Sequence, residues 1–232
     1  MAATLKVLSA GAVKRGVAQV AANFGRASST RVEVDFATAP QLRERVLGGE
    51  IVDVIVAPPA VMDVFEQHGK IVASTRGTVG RSRVGVVMHQ DAAAPEVSDT
   101  AAFTRALRSA SAVVYNTASS GIYIGKLLDR LGLVNELAAR IVQVQSGSAI
   151  MEAVAARAPG AVGLAQISEI MVMIDKGCAV KLVAPLPGDI QNITRYDAAA
   201  CTASATPPAA LALAQELASA AAKKSFAASG ID

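Results

Sequence analysis

Two runs in which short β-branched strands alternate with apolar-periodic helices constrain this 232-residue chain more than any other feature. In the first run, residues 5–9, 31–36 and 52–57 read as strands, and 13–24, 41–47 and 61–68 as helices, the last closed by Gly69. A βαβαβα order predicts a parallel sheet covered on both faces, because each crossover returns the chain with a helix over the sheet. A strand over 83–88 and a helix over 100–107 follow, and then the alternation restarts. Strands are predicted over 112–115, 141–145, 161–165 and 180–183, with helices over 121–131, 134–140 and 149–156 and a helical turn near 168–174. An extended stretch at 194–201 and an Ala-rich helix from Pro207 to Ala221 complete the chain, with a short last helix ending at Gly230.

The fold class expected is α/β: two Rossmann-like lobes with mixed, mainly parallel sheets, joined by a two-segment hinge and leaving a ligand cleft between them. The chain crosses near 83–88 and 194–202, which puts residues 1–85 plus 198–232 in lobe 1 and 86–197 in lobe 2. Small ligands bind at the carboxyl ends of parallel strands and at domain interfaces. Charged residues at 18% and hydrophobic residues at 52% describe a packed globular chain rather than a disordered one. With 3% aromatics and scattered Lys and Arg, no nucleic-acid platform is expected. The net charge of +3 suits an anionic ligand. Apolar runs such as 51–57 and 158–165 are too short to cross a bilayer, so no membrane insertion is expected. Met1-Ala2-Ala3-Thr4 enters the first strand without a leader, so the chain as written reads as cytoplasmic, and as periplasmic if a leader was removed. Two Cys and two His form no metal site, no cofactor motif is present, and Cys178 and Cys201 read as small core residues.

The strand-to-helix junctions share one character. Ser9-Ala10-Gly11-Ala12, Ala37-Thr38-Ala39-Pro40, Ala57-Pro58-Pro59, Asn116-Thr117-Ala118-Ser119-Ser120-Gly121 and Ser146-Gly147-Ser148 are all small or hydroxylated. Most helices start with such residues, but five together allow backbone N–H groups and helix dipoles to converge on an anion. In the Asn116 junction, Ser119 or Ser120 is expected to cap the helix and Gly121 to admit a ligand closely.

The candidate ligand-binding residues are Gly11, Ala12, Lys14, Thr38, Ala39, Pro58, Arg81, Asn116, Ser119, Ser120, Gly121, Tyr123, Ser148 and Gln166. Lys14 stands in a first helical turn, where a cation opposes the dipole unless a ligand charge offsets it, whereas Arg15 reads as a solvated neighbour. Arg76, Arg81 and Arg83 surround the first crossing, and one of them is expected to reach a carboxylate. Tyr123 is either a phenol for the ligand or a packing element, and Gln166 either a ligand contact or a local cap. No catalytic residue is assigned: His68 and His89 read as surface residues, and no nucleophile elbow or pair of loop carboxylates is present.

Val7-Leu8-Ser9-Ala10-Gly11-Ala12, Gly48-Gly49 leading to Val56-Ala57-Pro58, Ser120-Gly121-Ile122-Tyr123 with Lys126 to Gly132, and Val162-Gly163 before Gln166 carry a resemblance across nearly the whole chain. The sequence resembles the molybdate-binding-protein-like branch of the type II periplasmic solute-binding proteins of ABC transporters. That resemblance implies two lobes closing over a small anion, with a transporter permease as partner if the chain is exported. Molybdate binders of the family use serine hydroxyls in the first two loops and a tyrosine in the second lobe. Ala12, Ala39 or Pro40, and Gln166 stand here, so the resemblance implies an organic (poly)carboxylate rather than molybdate. An aconitate isomerase resembles the same family, and the alternative expectation is a cytoplasmic isomerase of an unsaturated polycarboxylate, with Lys14 or Tyr123 moving the proton.

Overall fold

The computed structural model describes residues 4–157 and 159–232. Met1-Ala2-Ala3, on which the reading of the chain start rests, and Ala158, the first residue of one apolar run, lie outside the described residues. The chain divides into two compact units, one formed by residues up to Ser82 with Thr194–Asp232, the other by Arg83–Ile193.

In the first unit the order is β1 (Thr4–Ala10), α1 (Lys14–Ser28), β2 (Arg31–Ala37), α2 (Ala39–Leu47), β3 (Val54–Ala57) and α3 (Pro59–Gln67). A short 3-10 turn, Gly11–Val13, links β1 to α1. β1 lies between β2 and β3 and pairs with both in parallel. β9 (Ile193–Ala200) returns antiparallel along β3, and α9 (Pro207–Leu217) and α10 (Ala220–Ala227) follow it. Their burial explains the pattern of their sequences. β3, covered on both faces, is buried throughout as Val-Ile-Val-Ala, whereas the edge strand β2 alternates exposed and half-buried positions. Where α10 meets α1, a side chain at Gly16 would overlap the Phe226 ring, and the bare backbone lets the two helices meet.

The second unit begins within β4 (Gly77–His89) and continues with α4 (Thr100–Ser109), β5 (Ala112–Asn116), α5 (Ser119–Arg130), α6 (Val134–Leu137), β6 (Ile141–Val144), α7 (Gly147–Ala155), β7 (Ala161–Gln166), α8 (Ile167–Asp175) and β8 (Val180–Pro185). β5 is central and parallel to both β6 and β7. β4 runs antiparallel to β7 and β8. Phe103 of α4 and Ile124, Leu127 and Leu128 of α5 build one core of this unit. Ile150 and Val154 of α7 and Ile170 of α8 build a separate one with Val114 and Ala165. Each fully buried aliphatic of this kind contributes roughly 1.5–3 kcal/mol through removal of its surface from water.

The elements differ from the sequence reading in three places. β4 begins at Gly77 rather than near 83, because its first half pairs with the chain end: the Arg81 N–H donates to the Asp232 carbonyl (2.5 Å) and the Asp232 N–H to the Arg81 carbonyl (2.9 Å). The turn expected near 168–174 is a complete nine-residue helix, α8, entered directly from β7. The helix expected over 207–221 stops at Leu217, and the Ser219 hydroxyl accepts from the Ala222 N–H (3.0 Å) to start α10. Among the described residues no helix is long and apolar enough to cross a membrane, and Cys178 and Cys201 carry free thiols. Burial, with the nearby Asp53, pushes the Cys201 thiol up to about 12, so it is protonated at neutral pH.

Candidate functional site

In the second unit β6, β5 and β7 point their carboxyl ends the same way, and each runs into a helix: β5 into α5, β6 into α7 and β7 into α8. First-turn N–H groups have no partner within their own helix, so three helix N-termini gather along one edge of this sheet. The Thr117 N–H donates to the Val144 carbonyl (2.9 Å), tying the end of β5 to the end of β6.

The start of α5 is organised by Asn116 and not, as its sequence suggests, by a serine cap. The N-cap position is Ala118, which puts Ser119 and Ser120 inside the first turn. The buried Asn116 Oδ1 accepts from the N–H groups of Ala118 (3.1 Å) and Gly121 (3.1 Å) and from the Ser120 hydroxyl (3.5 Å). An oxygen that accepts from two orphan N–H groups is the cap, whichever residue supplies it. The expected role of Gly121 changes with it. A Cβ at that position would overlap the Asn116 carbonyl oxygen, so Gly121 admits the chain's own backbone rather than a ligand. Tyr123 is also committed, since its hydroxyl donates to the Ile190 carbonyl (2.8 Å) and the ring packs on the α5 side. Of the candidates on this helix, Ser119 remains the exposed hydroxyl.

Between α7 and α8 stands a group the sequence reading missed. Ser146 caps α7, its Oγ accepting from the Ala149 N–H (3.3 Å), and Ser148 lies 3.2 Å from the same hydroxyl. Gly147 opens α7, and the space a side chain would fill there is taken by the carboxyl group of Glu169, in the first turn of α8. Among the described residues Glu169 has no hydrogen bond and no ion pair. Loss of water around this partly buried carboxyl raises it from the ordinary 4.5 to about 7. The N-termini of α7 and α8 favour the anion and work against that rise. The result is an acid whose proton is exchangeable near neutrality. Gln166, the last residue of β7, is buried at the N-cap of α8, on the same sheet edge.

The first unit has a corresponding edge where β1, β2 and β3 end. Gly11 leaves open space around its Cα, and Ala12 packs against the core. Thr38 is engaged by its own helix: its N–H and its hydroxyl both donate to Gln41 Oε1, at 2.9 Å each, and Ala39 opens α2. Pro58 caps α3, its carbonyl accepting from the N–H groups of Val61 (2.9 Å) and Met62 (3.1 Å). The ammonium of exposed Lys14 rests 5.1 Å from the centre of the Phe36 ring, an unforeseen contact worth about 0.5–1 kcal/mol.

The arginines divide differently from expectation. Arg76 is used internally, donating to Asp197 Oδ2 (2.9 Å), Asp63 Oδ1 (2.6 Å), Glu66 Oε2 (3.3 Å) and the Pro59 carbonyl (3.5 Å). Buried Asp197 also accepts from Arg195 (3.1 Å) and the Thr78 hydroxyl (3.3 Å). Arg81 is exposed on β4, and among the described residues no hydrogen bond or ion pair joins its side chain to a junction. A hollow of about 360 Å³ in the second unit, lined by Met88, Pro95, Glu96 and Arg105, sits at the opposite, amino edge, beside Ala110 and Gly160. Among the described residues no cluster of three or more metal-ligating side chains occurs.

Residues 5–232 match the family described as bacterial extracellular solute-binding protein, and the chain belongs to that family. Its fold is that of the molybdate-binding-like type II branch. It is similar, at 17% identity and a TM-score of 0.79 over 98% of each chain, to the periplasmic molybdate-binding protein of Azotobacter vinelandii. A TM-score of 0.79 also relates it to the sulfate-binding protein of Mycobacterium tuberculosis, at 17% identity over 99% of this chain and 86% of the other. In sequence it is 29% identical to an aconitate isomerase of a Pseudomonas species, over 98% of this chain and 87% of that protein.

Proposed function

We propose that this protein binds a small organic polycarboxylate at the carboxyl edge of the sheet in its second unit. The observation that carries this reading is the edge formed by β6, β5 and β7, where three helix N-termini and the hydroxyl of Ser119 meet. A tetrahedral oxyanion needs a complete shell of donors. The corresponding edge of the first unit offers no such shell: Ala12 and Ala39 have no side-chain donor and Thr38 spends its hydroxyl on Gln41. An exported form of the chain would pass such a ligand to a transporter permease, and a cytoplasmic form would act on it alone.

Thermal denaturation tests the reading directly. At a concentration 100 times Kd a ligand stabilises by about 2.7 kcal/mol, which for a chain of this size raises Tm by roughly 5–10 °C. Citrate, cis-aconitate or trans-aconitate is expected to give this shift, and molybdate, sulfate and phosphate a smaller one. Equal silence from all six defeats the proposal.

A second reading, isomerisation of an unsaturated polycarboxylate, is favoured by one specific observation. An unpaired carboxyl group at this edge, raised to about 7 by loss of water, is suited to take a proton and give it back. The likeness to an aconitate isomerase supports the same reading.

A further inference from the structure

We propose that Glu169 is the proton-transfer group of an allylic isomerisation carried out at the edge formed by β6, β5 and β7. The inference rests on the isomerase reading and names the residue that would perform it. In an unsaturated tricarboxylate the methylene beside the double bond carries a proton made acidic by the carboxylates around it. A Glu169 oxygen takes that proton, so the C–H bond breaks and an O–H bond forms, and the electron pair spreads over the three-carbon allyl system. Glu169 then returns the proton to the far allylic carbon, and the double bond comes to rest one position along. Nothing is oxidised or reduced, and no co-reactant is consumed.

The geometry singles out this residue among the candidates. Tyr123 is spent on the Ile190 carbonyl, and Lys14 belongs to the edge of the other unit, over Phe36. The Glu169 carboxyl is set against the Cα of Gly147, at the start of α7 and on the first turn of α8, so positive helix ends adjoin it. The same ends would hold the substrate's carboxylates and stabilise the negative charge that develops as the proton leaves.

Its surroundings leave its protonation unclamped. The elements packed on α8 include α7, β7 and β8, and Gly85 of β4, two residues beyond the charged Arg83, lies against Ile167 at its start. The charged residue of α7, Glu152, acts on Cys178, β7 carries no charge, and Lys181 of β8 donates to the Ala92 carbonyl (2.5 Å). On α8 itself the other acid, Asp175, stands at the opposite end. Loss of water is the cause that moves Glu169.

The experiment follows exchange of the trans-aconitate methylene protons into D2O by NMR, with chromatography of the cis isomer. Melting shifts with the same compound are recorded for wild type, Glu169→Gln and Gly147→Ala. Wild type is expected to interconvert the isomers with a pH profile inflecting near neutrality, and to exchange protons to the extent that the Glu169 proton leaves to solvent before it is returned. Glu169→Gln is expected to lose 10²–10⁴-fold in rate while keeping the melting shift. Gly147→Ala keeps the acid but displaces it, and is expected to lose at least tenfold. Retention of rate within threefold in Glu169→Gln overturns the assignment. A wild-type melting shift with neither exchange nor interconversion of the isomers overturns it too, while leaving the binding proposal standing. Absence of a melting shift from every carboxylate removes the binding proposal and this one with it.

Discussion

The carboxyl edges of the two units treat their buried acids in opposite ways. In the first, Asp197 is held by Arg76, Arg195 and Thr78, and Arg76 is in turn held by Asp63 and Glu66. In the second, Glu169 is set against a glycine with no partner of its own among the described residues. A desolvated charge left alone is costly and a paired one is tolerated. The first edge is therefore a braced platform, and the second keeps a group in reserve. Pairing of an acid marks scaffold in this molecule, and its absence marks the place to look for chemistry.

The two first-turn glycines of the second unit, Gly121 and Gly147, give the largest expected contrast. At Gly121 a new Cβ overlaps a backbone carbonyl that belongs to β5, and neither partner can rotate away. Gly121→Ala is expected to cost at least 4 kcal/mol and to lower Tm by more than 8 °C. At Gly147 the overlap is with the far end of the Glu169 side chain, which can swing aside, so Gly147→Ala is expected to cost below about 1 kcal/mol. Urea titrations of the two variants measure this. Similar losses would mean that Glu169 is as fixed as the Asn116 backbone and would erase the distinction between a braced junction and a poised one.

The next largest effect tests the braced edge. Asp197→Ala leaves Arg76, whose side chain is 17% exposed, facing a hole where its buried counterion stood. Removing one member of such a pair is expected to cost about 3 kcal/mol. Arg195→Ala, whose side chain is 48% exposed, should cost under 1 kcal/mol, since solvent screens what it contributes. Equal losses from the two variants would show the network to be uniform rather than centred on Arg76.

Periodicity carried most of the fold, because burial on one or both faces writes itself into consecutive residues. Val-Ile-Val-Ala in β3 and the spacing of Ile124, Leu127 and Leu128 in α5 are local signals of this kind. The site was legible only where its geometry is local. Ser119 and Ser120 carry the same hydroxyl whether they cap a helix or sit in its first turn, and what decides between these is a buried Asn116 side chain that the sequence offered as a ligand contact. Arg76 looked available because Asp197, its partner, lies 121 residues away. Glu169 was hidden for the same reason, since its position is defined by Gly147 on another helix. The one local signal that marks it is an acid three residues after a strand that ends in Gln166, at the start of an apolar helix.

The smallest predicted effect is the most informative about that residue. Glu169 is ordinarily at 4.5 and stands at about 7 in the folded chain. Between these values the folded state keeps a proton that the unfolded chain has released. Its contribution to stability is therefore full below about pH 4.5, falls as pH rises, and levels off above about 7. Glu169→Gln removes that slope, and above pH 7 the variant is expected to be the more stable protein by about 1–2 kcal/mol. The full shift would set a ceiling of about 3 kcal/mol, which the N-termini of α7 and α8 reduce by favouring the anion. Asp35 and Glu50, held below their ordinary values by Arg45, lose their contribution only at lower pH and do so in both proteins. Urea midpoints of the two proteins from pH 4.5 to 8 isolate the contribution of Glu169 as a difference. Curves that diverge with rising pH would show an acid kept neutral by its surroundings, and parallel curves would return Glu169 to the ordinary solvated carboxylates.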